Sequence, residues 1–292
     1  MHSWTETLMR LLFWASGIAI IVFLIGILFT LLSNSIPALG EIGLSPFFAS
    51  DLWRPGAYGE PTYSINNFIL GTFMVTIGAL IFAVPVGVAA AAYLAEIASP
   101  WEREFFKPVV EVLAGIPSVV LGFIGLVVLA PLIARVFGIP SGINALNGAI
   151  LVGIMALPTI ITLAEDAITA VPREYRHASL ALGGTRWQTI WKVTVPAAFS
   201  GITAAAMLGM GRAIGETMTV LMVTGNMIAR PSSFLDSVRT LSAAVAIDIG
   251  DVVFGSVHFH ALFVVGLVLF MITFIVNLLA DILIHRKPEV NK

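Results

Sequence analysis

The 292-residue sequence predicts an all-α polytopic membrane protein with six transmembrane helices, and three observations carry that prediction. Apolar residues make up 58% of the chain, above the roughly 45–50% of a soluble domain. Charged residues supply only 11%, against roughly 25% in an ordinary globular protein. With a mean hydropathy of +0.99, too little polar surface remains to coat a water-soluble particle, so most of the chain is expected in lipid.

Apolar runs of about 20 residues, the length that crosses a hydrocarbon core, fall at 11–32, 68–93, 109–136, 145–168, 199–228 and 258–284. The first follows the lone Arg10, is too long for a signal-peptide core and lacks a small-x-small cleavage site, so it reads as a retained helix. Pro85, Pro117, Pro131 and Pro158 interrupt the later runs. Packed kinks are the ordinary outcome, and Pro117 is singled out because Ser118 beside it can satisfy freed backbone or touch an oxyanion. With the amino terminus in the cytoplasm, Arg10, Arg103, Lys107, Arg173, Arg176, Arg186, Lys192, Arg286, Lys287 and Lys292 fall inside, and only Arg54, Arg135, Arg230 and Arg239 fall outside. The positive-inside rule therefore predicts that both termini are cytoplasmic.

The chain 1–292 reads as one transmembrane domain with an outer loop at 33–67 and a cytoplasmic loop at 170–198. Pro37, Pro46, Pro55 and Pro61 punctuate the outer loop, and Phe47, Phe48, Trp53, Tyr58 and Tyr63 argue that it is ordered. It suits either docking of an extracytoplasmic partner or a lid over the helix ends, and the more polar segment 229–257 suits the same role. Composition excludes other classes. A net charge of −2 without a basic cluster leaves no nucleic-acid footprint. No cysteine is present, none of the five histidines begins HExxH, no serine sits in GxSxG, and no lysine precedes Ser or Thr as a P-loop requires. No catalytic residue, metal site or cofactor is expected. His258 and His260 diverge on a helix, while Glu111, Glu165 and Asp166 read as solvated caps.

The cytoplasmic loop contains two short helices. Pro172 opens the first, which spans 173–182, and Gly183-Gly184 stops it. Thr185 and Gln188 have capping-box spacing, and Trp187, Ile190, Trp191 and Val195 recur at helical intervals behind them. Such a stiff bracket suits mechanical coupling to another protein, or an interfacial anchor. The stretch resembles the EAA loop of ABC importer permeases, with His177-Ala178-Ser179, then Gly183, then Val193-x-Val195-Pro196 at the family spacing. The resemblance implies that His177, Ala178, Ser179, Gly183 and Pro196 belong to the surface that couples to an ATPase. His177 replaces the usual Glu and Ser179 the second Ala, and Glu174, one turn earlier, is the candidate substitute for the missing carboxylate.

The segment GRAIGETM places Arg212 and Glu216 inside the fifth run. Bare charges at that depth cost about 2.5–3.5 kcal/mol each on insertion scales, so a partner or an aqueous path is required. Four residues apart, the two are expected on one helix face with Ala205, Gly209, Gly215 and Thr219, small residues that leave room for an ion. An Arg fork matches phosphate or sulfate oxygens, and a carboxylate accepts a hydrogen bond from protonated phosphate but not from sulfate. The alternative is that the two charges merely neutralise each other.

GRAIGETM, with Leu221-Met222-Val223-x-Gly225-Asn226 behind it, resembles the PstC-type phosphate importer permeases. Gly71-Thr72, Pro85-Val86-Gly87, Leu94-Ala95-Glu96 and Gly115-Ile116-Pro117-Ser118 extend the likeness from the second helix onward. The resemblance implies a type I ABC importer (MetI-like) permease fold, half of a phosphate pore, in a bacterial or archaeal cytoplasmic (inner) membrane. It implies ATPase subunits, a second permease that is PstA-like or another copy, a periplasmic phosphate-binding protein, inorganic phosphate and membrane lipids as partners. Arg212, Glu216, Ser118 and Thr219 are then the candidate substrate pathway. Permeases for sulfate, molybdate or phosphonate, and a secondary carrier independent of ATP, are the alternatives.

Overall fold

The structure, a computed structural model, describes residues 4–56 and 60–285. Tyr58, Arg286, Lys287 and Lys292 lie outside the described residues. Among those described, five helices are long and apolar enough to cross a membrane, and the pair Arg186–Ala197 and Phe199–Gly215, bent by 71°, is a sixth candidate.

In chain order, α1 runs Trp4–Glu41, well past the predicted 11–32 and into the expected outer loop. There follow α2 (Pro46–Ala49), a minimal hairpin of β1 (Trp53–Arg54) and β2 (Thr62–Tyr63), and α3 (Asn66–Glu96). Then come α4 (Pro100–Gly115), α5 (Ser118–Ile124), a π-helical stretch at Gly125–Leu129, and α6 (Ala130–Phe137). The fourth predicted run is α7 (Ala145–Thr169). After it lie α8 (Arg173–Ala181), α9 (Arg186–Thr189), a second π stretch at Ile190–Thr194, and α10 (Val195–Ala197). The chain closes with α11 (Phe199–Gly215), α12 (Met218–Val223), α13 (Leu241–Asp248) and α14 (Val257–His285).

Two predicted spans are broken. The run 109–136 is interrupted where Ile116 and Pro117 adopt extended backbone, with ψ of 125° and 136°. The run 199–228 is interrupted where Glu216 does the same, at ψ 126°. Pro117 cannot donate a backbone hydrogen bond and disfavours helix at the residue before it, which explains the first break. Pro85 and Pro158, by contrast, lie within continuous helices, and Pro131 opens α6.

The centre of the bundle is the α3–α7 pair, with α11 against α7. Glycine makes these approaches possible. A Cβ on Gly87 would stand 2.6 Å from Ile160 Cγ2, one on Gly153 3.0 Å from the Ala79 carbonyl, and one on Gly209 2.7 Å from Ile160 Cγ1. Small residues let helix backbones close in where lipid supplies no hydrophobic drive. Ala205 and Gly209, expected on the Arg212 face, are buried, Gly209 directly against Ile160 of α7, whereas Arg212 further along the same helix is exposed.

The two ends of the bundle differ. At one end, the bracket end, α8 to α10 fold beneath α3 and α7. At the other, the cap end, the described residues of 42–65 merge with 228–257 into one folded unit. Trp53, Phe47, Tyr63 and Phe68 pack with Leu241, Ala244 and Leu262. The Asp248 carboxylate gathers Trp53 Nε1 at 2.9 Å, Arg239 Nη1 at 3.3 Å and His258 Nε2 at 3.5 Å. The described residues of the loop 33–67 are thus packed into this unit.

Candidate translocation site and coupling bracket

The two breaks meet. Thr219 Oγ1, in the first turn of α12, donates to the Ser118 carbonyl of α5 at 3.0 Å and lies 3.3 Å from Met155 Sδ. Met155 belongs to α7, a 25-residue helix about 37 Å long, and sits about 15 Å from its start. The contact therefore lies near mid-depth of the bundle. A Cβ on Gly122 would be 2.8 Å from Met222 Sδ and 3.3 Å from Thr219 Cα, so glycine lets α5 and α12 come together directly beyond the breaks.

Glu216 does not pair with Arg212. The extended backbone takes it off the α11 face, and its Oε1 accepts the Thr219 N–H at 3.2 Å, capping α12. Its carbonyl accepts from Ser242 Oγ of α13 at 2.9 Å. Arg212 remains on the last turn of α11, exposed beside Leu208, with no hydrogen bond or ion pair to any described residue. Ser118 is half-buried and no described residue engages its hydroxyl, whereas Thr219 is fully buried and its hydroxyl is already committed. A guanidinium without a described partner thus stands one turn before the α11–α12 break, a carboxylate with one oxygen held stands at that break, and a hydroxyl that no described residue engages stands at the α4–α5 break. Thr219 holds the geometry.

The cap reaches this site through α13. Leu241 N–H donates to Thr72 Oγ1 at 2.9 Å, and Gly71 has no side chain because a Cβ there would stand 2.6 Å from the Arg239 carbonyl. Those contacts give Gly71-Thr72 a physical role. At the start of α7, Ala145 and Leu146 N–H bond the carbonyls of Asp236 and Phe234, so the cap also closes that helix end. Asp236 itself accepts from Ser232 N–H, Ser232 Oγ and Ser233 N–H, and these bonds, the Ser232 backbone first, hold its carboxyl below the usual range.

The bracket forms as its sequence indicates. Thr185 and Gln188 complete the capping box at 2.9 and 3.2 Å. Gly183 takes φ +83°, and Ser179 Oγ meets Thr189 Oγ1 at 2.9 Å, binding the two short helices together. Glu174, His177, Ala178 and Pro196 are exposed, and Leu182 stands 90% exposed at the tip. Sequence reading missed the ties beneath. Arg176 Nε donates to Glu96 Oε1 at 2.7 Å, and Arg176 Nη1 and Nη2 bond the Val171 and Ile168 carbonyls at 2.6 and 2.9 Å. Glu165 is 6% exposed and paired with Lys107 at 3.3 Å rather than solvated, because α4 lies across it. Glu111 and Asp166 are exposed, as expected for solvated residues, but lie within α4 and α7 and cap neither.

Residues 83–287 match the family described as "Binding-protein-dependent transport system inner membrane component". The chain belongs to that family. Among its relatives, the "Probable ABC transporter permease protein YqgH" of Bacillus subtilis (strain 168) is 43% identical over 84% of this chain and 80% of that protein. The "Phosphate transport system permease protein PstC" of Xylella fastidiosa (strain Temecula1) is 32% identical over 95% and 90%. The "Phosphate transport system permease protein PstC 1" of Mycobacterium tuberculosis is 33% identical over 94% and 92%. The fold is shared with a bacterial ABC transporter involved in the import of the acidic polysaccharide alginate, at TM-score 0.65 and 13% identity over 99% of each chain. The inward-facing MetNI methionine ABC transporter aligns at TM-score 0.55 and 20% identity, over 75% of this chain and 92% of that one. The molecule is an all-α, MetI-like permease subunit of an ABC importer.

Proposed function

We propose that this permease forms half of a pore that imports inorganic phosphate, driven by separate ATPase subunits bound at the bracket. The observation that carries the substrate is Arg212. A guanidinium exposed near mid-depth cannot rest against lipid without the burial cost of a bare charge, so its open face belongs against a second permease and an aqueous path. There its fork matches a tetrahedral oxyanion. The free oxygen of Glu216 accepts a hydrogen bond from phosphate, which still carries a proton at neutral pH, and repels sulfate, which does not. The Ser118 hydroxyl adds a neutral contact. The phosphate permeases among the relatives support the same substrate.

In this reading the bracket faces the cytoplasm, both termini are cytoplasmic, and the membrane is the inner membrane of a bacterium or archaeon. His177, Ala178, Ser179, Gly183 and Pro196 meet the ATPase, with Glu174 supplying the carboxylate that His177 lacks. The cap receives a phosphate-binding protein, and a PstA-like permease or a second copy completes the pore. ATP binding draws the two brackets together and turns the cavity outward, and hydrolysis resets it. The test is to copurify the complex, place it in liposomes with its binding protein, and measure ATP hydrolysis. Phosphate should stimulate it and sulfate should not. Equal stimulation by sulfate, or none by phosphate, contradicts the assignment.

A further inference from the structure

Along α8 every side chain is exposed except Arg176 and Ser179, and Ser179 bonds inside the bracket. Among the described residues, the only side-chain hydrogen bonds from α8 to the spanning helices are therefore those of Arg176. They hold the Ile168 carbonyl at the end of α7, the Val171 carbonyl just past it and, through Glu96, the last residue of α3. Both side chains of that ion pair are well shielded, at 17% and 12% exposure, so the pair is not screened like a surface contact.

From Glu96 the ties continue into α4. Arg103 Nη2 of α4 bonds the Ala95 carbonyl at 2.6 Å, and Tyr93 OH bonds Glu102 at 2.7 Å. Ser99 and Glu102 close a capping box at the turn. The end of α3 and the start of α4 are thereby one rigid corner. From this corner α4 runs 16 residues, about 24 Å, to the Ile116–Pro117 break and Ser118.

We infer that the Arg176–Glu96 pair is the joint that carries movement of the bracket into the α3–α4 corner, with α4 as the lever that reaches the mid-depth break. These are positioning residues. They touch neither substrate nor nucleotide, and the inference rests on the importer reading above. If the joint moves as one body, breaking it separates hydrolysis from transport, and any stiff link in its place restores the connection.

The chain contains no cysteine, which makes a reversible test possible. Glu96→Cys and Arg176→Cys are introduced together into the full complex, its other subunits freed of cysteine. Phosphate moved per ATP hydrolysed is then measured before and after a bis-methanethiosulfonate cross-linker, and again after reductant. The reduced variant should lose about fivefold or more of this ratio, the low end of a typical coupling between sites, while the ATPase still copurifies. Cross-linking should restore the ratio, reductant should remove it again, and a one-armed methanethiosulfonate should do nothing. A reduced variant as well coupled as wild type, or a cross-linked one no better than the reduced, overturns the joint. Should the double variant fail to assemble, Arg176→Lys decides. Its ammonium keeps the charge on Glu96 but cannot hold both carbonyls, so an intermediate ratio is expected and an unchanged one overturns the inference. A wild-type complex that ignores phosphate sinks the substrate assignment. A responsive wild type with equally coupled variants sinks the joint alone.

Discussion

Glu216 shows how one backbone angle redirects a side chain. At ψ 126° it leaves the helix that Arg212 belongs to and caps the next one. Arg212 is left without a described partner, and Glu216 keeps one carboxylate oxygen that no described residue holds. Glu216→Gln is therefore expected to assemble, since an amide oxygen still accepts from Thr219 N–H, and to admit sulfate as a competitor of phosphate uptake. An unchanged competition and pH profile reduces Glu216 to a helix cap. For Gly125, a Cβ would collide with Leu151 and stand 2.9 Å from Val223 Cγ1. Overpacking of this kind costs about 1–3 kcal/mol, so Gly125→Val should lower the melting temperature of the detergent-solubilised complex measurably. The residue types at the site were legible in the sequence because charge within an apolar run is conspicuous. Their pairing was not, since Gly215-Glu216-Thr217 carries no proline to announce the break.

At the scale of elements, the bracket was legible and the cap was not, for one physical reason. The bracket is built from contacts three to ten residues apart, such as Thr185 with Gln188 and Ser179 with Thr189, and local spacing encodes them. The cap depends on Trp53 reaching Asp248, 195 residues away, which no local pattern reveals. Gly183→Ala would place a side chain at φ +83°, a strain of about 1 kcal/mol. Reduced phosphate-stimulated hydrolysis with the ATPase still bound is expected, and normal stimulation would argue against a rigid bracket. The Asp236 turn gives a pH dependence with a definite sign. Its carboxyl titrates below the usual range, so its stabilisation is complete above the ordinary Asp pKa of about 3.9 and is lost as pH falls through the lower folded value. Asp236→Asn should melt earlier than wild type at pH 7, by about 1 kcal/mol for a half-exposed turn. The gap should close in strong acid, and a gap independent of pH would contradict the ionic origin.

At the scale of the whole molecule, two faces are left open. Described side chains of α1 from 6 to 27 are exposed, and further along the helix Asn34 and Leu31 lie against His260 and Gly266 of α14. Arg212 stands on a second open face. A lone chain with these surfaces is not a closed conduit, so the purified permease by itself should move no phosphate into liposomes. Uptake by the single chain would favour a secondary carrier. The central claim, that Arg212 meets the passing anion, is tested most directly by phosphate uptake into liposomes holding the complete complex with Arg212→Ala. With assembly intact and ATP hydrolysis still measurable, the loss of a charge-assisted, two-pronged contact should slow uptake by about 30-fold or more. Uptake at the wild-type rate would contradict the account.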